Sequence, residues 1–205
     1  MKDLFGKAIL DFQTNNNPQD LITETSISEA DEMSVAYLFR SYKEMPKLEQ
    51  QALALAKGKI LDVGCGAGSH SLYLQNEKNC DVTAIDISSN AIAACQLRGI
   101  HKAKVQDVMT LHDEKFDTIL LLMNGAGMCG RLKNVAPFLL KLKSLLNENG
   151  QILLDSSDII YMFDEDEDGG KWIPSENEYY GEVVFNNEYK GVKELRIDWM
   201  YIDYN

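Results

Sequence analysis

Positive charge is scarce in this chain. Across 205 residues, 20 Lys and Arg stand against 32 Asp and Glu, a net charge of -12. Non-specific affinity for nucleic acid comes from Lys and Arg neutralising phosphates, and no basic cluster breaks the acidic balance. A nucleic-acid partner is therefore not expected, and a small-molecule or cationic substrate is favoured. Long apolar runs are missing as well: none approaches the roughly 20 residues that a membrane helix needs. The opening residues, MKDLFGKAILDFQTNNN, carry an acid early and no extended apolar stretch, so they do not read as a secretory leader. A cytoplasmic protein with no membrane partner is the expectation. Cysteine is sparse too. Cys65, Cys80, Cys95 and Cys129 form no C-x-x-C pair and fit no common zinc module. They read as small hydrophobes, and no metal site is expected.

What the chain does have is 45% hydrophobic and 25% charged residues, enough for one globular domain with a sizeable core. Its first 55 or so residues differ from the rest. TNNNPQD (14–20) reads as a polar loop. SEADEMSVAYLFRSY reads as a helix capped by Ser28. PKLEQQALALAKG reads as a second helix, with Pro46 near its start and Gly58 just past its end. From residue 59 strands and helices alternate: KILDVG, then SHSLYLQNEK; DVTAIDI, then SSNAIAACQLRG; a short AKVQDV; the nearly continuous apolar FDTILLLMN; NVAPFLLKLKSLLNENG, then QILLDSSD. That alternation predicts a doubly wound, mostly parallel α/β sheet. After Asp158 the pattern breaks into an acidic loop and a predicted hairpin over 182–204, in which Leu195, Ile197, Trp199 and Tyr201 alternate with polar neighbours as one buried face.

The stretch GKILDVGCGAGSHSLYL holds the chemistry. A strand ends in Gly64, Gly66 and Gly68 and turns into a helix. Helix-start NH groups favour negative charge, and glycines let a ligand approach the backbone, which suits any dinucleotide or nucleoside site. The nicotinamide fingerprint G-x-G-x-x-G is not met, because its sixth position is Ser69. Asp62 would also repel a pyrophosphate and suits a ligand with a positive amino group, or it caps the following turn. Asp86 ends the second strand near the distance expected of an acid that accepts from ribose hydroxyls. Asp107 ends the third, where it suits an adenine amino group beside the Val108 NH, or serves as a turn residue.

With these residues in view, the chain resembles the class I S-adenosylmethionine-dependent methyltransferases. ILDVGCGAG is similar to the family's first motif, AIDIS to the second, KVQDV to the adenine-contacting segment and FDTILLLMNG to the fourth-strand motif. LKSLLNENGQILL resembles a helix-turn-strand that usually reads L-x-P-G-G, with Glu148 and Asn149 departing from it. The resemblance covers about residues 56–158. It implies a Rossmann-like methyltransferase sheet with N-terminal helices and a C-terminal antiparallel hairpin. It divides the chain into a helical lid segment at 1–55 and a cofactor-binding domain at 56–205. The cofactor it implies is S-adenosyl-L-methionine. The contacts are Asp62, Gly64, Cys65, Gly66 and Gly68; Asp86 and Ile87; Asp107 and Val108; and Met123 and Asn124. From the lid, Arg40 or Tyr42 would meet the methionine carboxylate, with a solvated helix residue as the alternative for Arg40.

The loop Asn124-Gly125-Ala126-Gly127 lacks the N/D-P-P-aromatic pattern of enzymes that methylate amino groups of nucleic-acid bases. Asn124 orients a substrate or braces the loop. The catalytic residue is unknown. His70, Asn124, Tyr161, Tyr179 and Tyr180 are the visible candidates for a base, with packing or capping as the alternative for His70; His101 and His112 read as surface. Asp164, Asp166, Asp168 and Gly169 start like a calcium loop, but Ser175 stands where Glu is needed and Glu176 comes one place late, so a solvated acidic loop is expected. Two other readings stay open: a non-catalytic cofactor-binding module, and another nucleoside-cofactor enzyme such as a nicotinamide-dependent reductase. The ending is unusual for the fold, whose last helix and strands are not visible. A truncated chain, or a partner such as a second copy covering an exposed edge, is the expectation there.

Overall fold

A computed structural model describes residues 2–173 and 178–203. Ser175 and Glu176, on which the calcium-loop comparison turned, lie outside the described residues.

The chain opens with helix α1 (Leu4–Gln13) and a pair of strands, β1 (Leu21–Thr25) and β2 (Ser28–Met33). Two 3-10 turns, Val35–Phe39 and Tyr42–Glu44, lead to α2 (Lys47–Leu55). The alternating part follows as β3 (Lys59–Val63), α3 (Ser69–Asn76), β4 (Asp81–Asp86), α4 (Ser89–Leu97), β5 (Ala103–Val105), β6 (Phe116–Leu121), α5 (Val135–Ser144) and β7 (Leu146–Leu154). The chain returns through a long loop to the hairpin β8 (Glu182–Tyr189) and β9 (Val192–Met200).

β3 to β7 form one parallel sheet in the order β5-β4-β3-β6-β7. The continuous apolar run of β6 is explained by burial on both faces. Ile119 and Leu121 join Leu61, Phe116, Phe138 and Leu142 on the α5 side, while Leu120 joins Ile60, Leu53 and Leu74 on the α2 and α3 side. Local signals set the ends of the connecting helices. Ser88 caps α4 by accepting from the Ala91 NH at 2.9 Å, and Gly99 leaves it with φ +90°. Asn149 takes a left-handed φ of +61° where the family pattern has glycine, a conformation that Asn tolerates better than most residues. Strand order reverses between β3 and β6, which opens a crevice outside their carboxyl ends.

The four remaining strands form a second, antiparallel sheet in the order β2-β1-β8-β9. The helix expected from Ser28 is therefore incorrect: residues 28–33 are a strand and 35–39 a 3-10 turn. Side-chain bonds make the tight turn that reverses the chain there. Thr25 Oγ1 and Ser28 Oγ lie 2.8 Å apart, and the Ile27 NH donates to Thr25 Oγ1 at 3.2 Å. Asp20 then accepts from the Val35 NH at 2.8 Å and fixes the exit. As an outer strand β2 keeps Glu29, Ala30, Asp31 and Glu32 exposed, a charged edge that discourages further pairing.

The hairpin turns through Lys190 and Gly191, both at positive φ, as a two-residue hairpin loop requires. Its alternation is not the one expected: Leu195 is exposed and Glu194 is buried. A bulge is the cause. Phe185 pairs with Ile197 but Asn187 pairs with Glu194, so β9 carries one extra residue, and Arg196 absorbs it at φ +63°. β8 is paired on both sides, by β9 and by β1 of the same chain, so the hairpin needs no second chain to cover its inner edge. Met200 enters the α5-side core and anchors the second sheet to the first. No helix among the described residues is long and apolar enough to cross a membrane.

Asp11 ties α1 to this second sheet. Its buried carboxylate accepts from Tyr189 Oη at 3.1 Å, Lys190 Nζ at 2.8 Å, Asn16 Nδ2 at 2.8 Å and Lys7 Nζ at 3.2 Å. Burial alone would raise its pKa; the bonds from Lys190, Asn16, Lys7 and Tyr189 outweigh it and hold the group well below the usual carboxylate range. Asp11→Asn should lower stability by about 2 kcal/mol at neutral pH. A depressed folded-state pKa gives stability that is fully present above about pH 4, the unfolded carboxylate value, and is lost progressively as pH falls from there through the folded-state pKa. The gap between urea melts of the two proteins should therefore narrow steadily as pH falls below about 4; a constant gap would refute this role.

Candidate functional site

The crevice is floored by the loop that follows β3. Gly68 has φ +79°, and a Cβ there would come within 2.3 Å of Ile100 Cδ1, so packing of the α4 exit excludes any side chain. Gly66, at φ +53°, differs: only Ile9 Cδ1, 3.9 Å away, faces it, which leaves its backbone approachable. The loop is held from β4. The Gly64 and Cys65 NH groups both reach the Ile85 carbonyl, at 2.9 and 3.1 Å.

Asp86 completes this tie. Its Oδ2 accepts from the Gly66 NH at 3.0 Å and its Oδ1 from the Ser88 NH at 2.9 Å. Burial pushes its pKa up, the two NH bonds pull it back, and the charges of Asp3 and Asp62 add to the rise. Each oxygen keeps a lone pair beyond its backbone bond, so the carboxylate fits a pair of ribose hydroxyls. Beside it Ile87 is 58% exposed. Asp107, beyond β5, is exposed and caps the 3-10 turn Val108–Thr110 through the Met109 NH at 2.8 Å, while the Val108 side chain enters the core.

Asp62 lies beneath the loop. It is buried, and its Oδ2 accepts from Ser71 Oγ at 2.6 Å, so it braces the first turn of α3. Burial pushes its pKa up, against the pull of His70 and Ser71. Cys65 Sγ sits 3.8 Å from Cys95 Sγ, and that contact together with burial drives its thiol pKa well up, as befits an inert packing group.

After β6 the chain takes two consecutive left-handed residues, Met123 at φ +65° and Asn124 at φ +61°. Such residues cost of order 1 kcal/mol or more each and persist only where their surroundings hold them. Asp155 does so, accepting from the Met123 NH at 3.2 Å and the Gly125 NH at 3.0 Å. Asn124 donates to the Met200 carbonyl at 3.1 Å and accepts from Ser156 Oγ at 3.0 Å. Of its two expected roles, bracing is the one these bonds perform. Gly127 must be glycine, because a Cβ would lie 1.9 Å from the Trp199 ring.

The N-terminal segment covers this floor. Ile9 and Leu38 pack on Ala67, Ala91 and Ala94, with Phe5, Phe39 and Met123 around them. Ser69 Oγ donates to the Leu38 carbonyl at 2.7 Å. Arg98, from the end of α4, donates to the Ala67 carbonyl at 2.5 Å with its guanidinium over the Phe39 ring. Arg40 is buried: Nη2 reaches Glu49 Oε1 and Oε2 at 2.6 and 2.5 Å, and Nη1 donates to the Tyr37 carbonyl at 2.8 Å. Tyr42 stacks on Tyr73 with ring centres 3.9 Å apart.

The candidate bases are occupied or remote from the loop. His70 Nε2 lies 2.7 Å from Glu49 Oε2. Tyr161 is exposed. Tyr179 and Tyr180 both donate to Asp203 Oδ2, at 2.9 and 2.8 Å, and burial leads the effects that raise the pKa of both phenols. They stand near a cavity of about 260 Å³ at the carboxyl end of β7, lined by Leu154, Ser156, Asp158, Ile202 and Asp203. In the acidic loop Asp166 Oδ1 accepts from the Asp168 and Gly170 NH groups, and Glu165 pairs with Lys171. Glu49, Ser71, Arg98 and Asp155 are the site residues the sequence reading missed. Asp155 alone carried a signal, as one more acid at the end of a strand.

Residues 55–202 match a family described as a methyltransferase domain. The crystal structure of a SAM-dependent methyltransferase from Bacteroides fragilis, in complex with S-adenosyl-L-homocysteine, is similar over 99% of this chain and 82% of that one, with 45% identity and a TM-score of 0.89. A sugar N-methyltransferase from Streptoalloteichus (13% identity, TM-score 0.52, 80% of this chain and 73% of that one) shares the fold. So does an amino pentose methyltransferase from Micromonospora echinaspora (16% identity, TM-score 0.51, 74% and 64%). No curated protein matches. A chain with this glycine loop and sheet order thus matches both a methyltransferase family and a SAM-dependent methyltransferase solved with S-adenosyl-L-homocysteine, and it belongs to the S-adenosylmethionine-dependent methyltransferases.

Proposed function

We propose that this enzyme methylates a small-molecule acceptor and holds its cofactor along the carboxyl ends of β3, β4, β5 and β6. The observation that carries the reading is the Asp86 carboxylate, fixed by the Gly66 and Ser88 NH groups with acceptor capacity to spare. It takes the two ribose hydroxyls. Ile87, exposed beside it, covers a face of the adenine. Asp107 and the Val108 NH meet the adenine edge. Gly66 lets the aminoacyl end lie close to the backbone, with Gly64, Cys65 and Gly68 shaping the loop around it. Asp62 acts from below as a buried counter-charge, since an ammonium group nearby favours its ionised form. Arg40 receives the carboxylate of the methionine part. Met123 and Asn124 form the wall that faces the acceptor.

The cofactor supplies a sulfonium-bound methyl group ready for in-line attack. The chain's own task is alignment and exclusion of water. The apolar cover of Ile9, Leu38, Phe5 and Met123 does the excluding. Among the candidate bases, His70 is committed to Glu49, and the Tyr179 and Tyr180 phenols are held protonated, which suits an acceptor that attacks without the help of a strong base. The acidic surface and the compact cavity beyond β7 support a small, neutral or cationic acceptor over a phosphate-rich polymer.

Two measurements test this. Asp86→Ala should weaken S-adenosylhomocysteine binding by about 1–3 kcal/mol in calorimetry, through the loss of hydrogen bonds to a charged acceptor; equal affinity would remove Asp86 from the site. A panel of small amines, alcohols and carboxylates should yield S-adenosylhomocysteine above the acceptor-free background. Turnover with nucleic acid or protein alone would overturn the small-molecule reading.

A further inference from the structure

The guanidinium of Arg40 is held in an unusual way. A carboxylate usually takes an arginine with two oxygens on two nitrogens. Glu49 instead sets both oxygens on Nη2, at 2.6 and 2.5 Å. Nη1 is spent on the Tyr37 carbonyl, and the guanidinium lies over the Tyr37 ring, 4.1 Å from its centre. That leaves Nε. It is the only buried side-chain nitrogen or oxygen without a partner among the described residues, on a side chain 4% exposed. A buried donor on a cation is stabilised when an anion meets it, so the open Nε marks where a ligand carboxylate docks.

The orientation is imposed from two other elements. Glu49 comes from α2. Its Oε2 is shared with His70 Nε2 at 2.7 Å, and His70 is the second residue of α3, directly after the glycine loop. Burial alone would raise the Glu49 pKa, but the bonds from His70 and Arg40 hold it below its ordinary value, so the bridging group is an anion. Leu38, two residues before Arg40, is seated on the loop through Ser69 Oγ and Ala67.

We infer that Glu49 and His70 are positioning residues: His70 anchors Glu49 to the glycine-loop helix, and Glu49 turns Arg40 so that its Nε edge faces the carboxylate of the bound aminoacyl group. This rests on the reading of Arg40 proposed above. Neither residue touches the ligand.

Calorimetry with two ligands tests it. S-adenosylhomocysteine carries the carboxylate; 5′-methylthioadenosine carries the same nucleoside and thioether without it. Glu49→Gln and His70→Asn should each raise the Kd for S-adenosylhomocysteine about 10-fold and leave that for methylthioadenosine within about twofold. In an Arg40→Met background, His70→Asn should have no further effect on either ligand. Equal weakening of both ligands would show a merely structural role and overturn the inference, as would an unchanged Kd for S-adenosylhomocysteine in His70→Asn. If Glu49→Gln does not fold, His70→Asn carries the test alone. Arg40→Met separates the two claims. If it removes the preference for S-adenosylhomocysteine while His70→Asn does not, the Arg40 contact stands and the positioning role falls. If it leaves that preference intact, both fall.

Discussion

Asp86 accepts from the Gly66 and Ser88 NH groups at once, and so joins the exits of β3 and β4 beside the point where the strand order reverses. Both bonds go to backbone, so they set the path of the chain rather than the pose of a side chain. The loop they define holds Gly66 open on one side while α4 and Ile100 close on Gly68 from the other. Were the carboxylate absent, the Ile85 carbonyl would be left as the loop's hold on β4, and the start of α4 would lose the acceptor beneath Ser88. The same group is thus a folding contact and, in the proposed reading, the ligand's acceptor; its two backbone bonds keep it satisfied although burial raises its pKa.

The second constraint is that the crevice is built from both ends of the chain. α1 lies along α4, and Asp3 accepts from Asn90 Nδ2 at 2.8 Å near the Ser88 turn. Asp11 binds α1 to the last hairpin, and Met200 binds that hairpin to the α5-side core. The Met200 carbonyl in turn holds Asn124 at the end of β6. A path of direct contacts therefore runs from the cover over the glycine loop to Asn124 at the end of β6. It passes through the small antiparallel sheet, which makes that sheet part of the site's support.

The parallel sheet and the glycine loop were legible because their signals are local. Apolar strands, a serine cap and acids at strand ends each lie within a few residues of one another. β2 was not legible. Its partner strand is set by a turn of two side-chain bonds, and its exposed Glu29, Asp31 and Glu32 erase the alternation that marks a half-buried strand, so SEADEM resembles a helix start. The face of β9 was misread because one residue, Arg196, takes a left-handed conformation that no pattern of hydrophobicity announces. Arg40, Glu49 and His70 lie on three separate elements, and an ion pair of that kind becomes visible only when the elements are packed.

If the end of β6 faces the acceptor, as proposed, this site needs little side-chain chemistry at its reacting end. Met123 and Asn124 both sit in a conformation that favours glycine, yet the three polar groups around them, Asp155, Ser156 and the Met200 carbonyl, all bond inward to the loop. None of these bonds activates a nucleophile; all of them fix a surface. A sulfonium donor makes this sufficient, because transfer to a neutral or anionic atom removes positive charge from the sulfur and needs geometry more than proton transfer. In that reading specificity falls to the shape of the wall and to the acids beyond β7. The strain stored at Met123 and Asn124 would then be the means by which a short loop presents a fixed face to the acceptor.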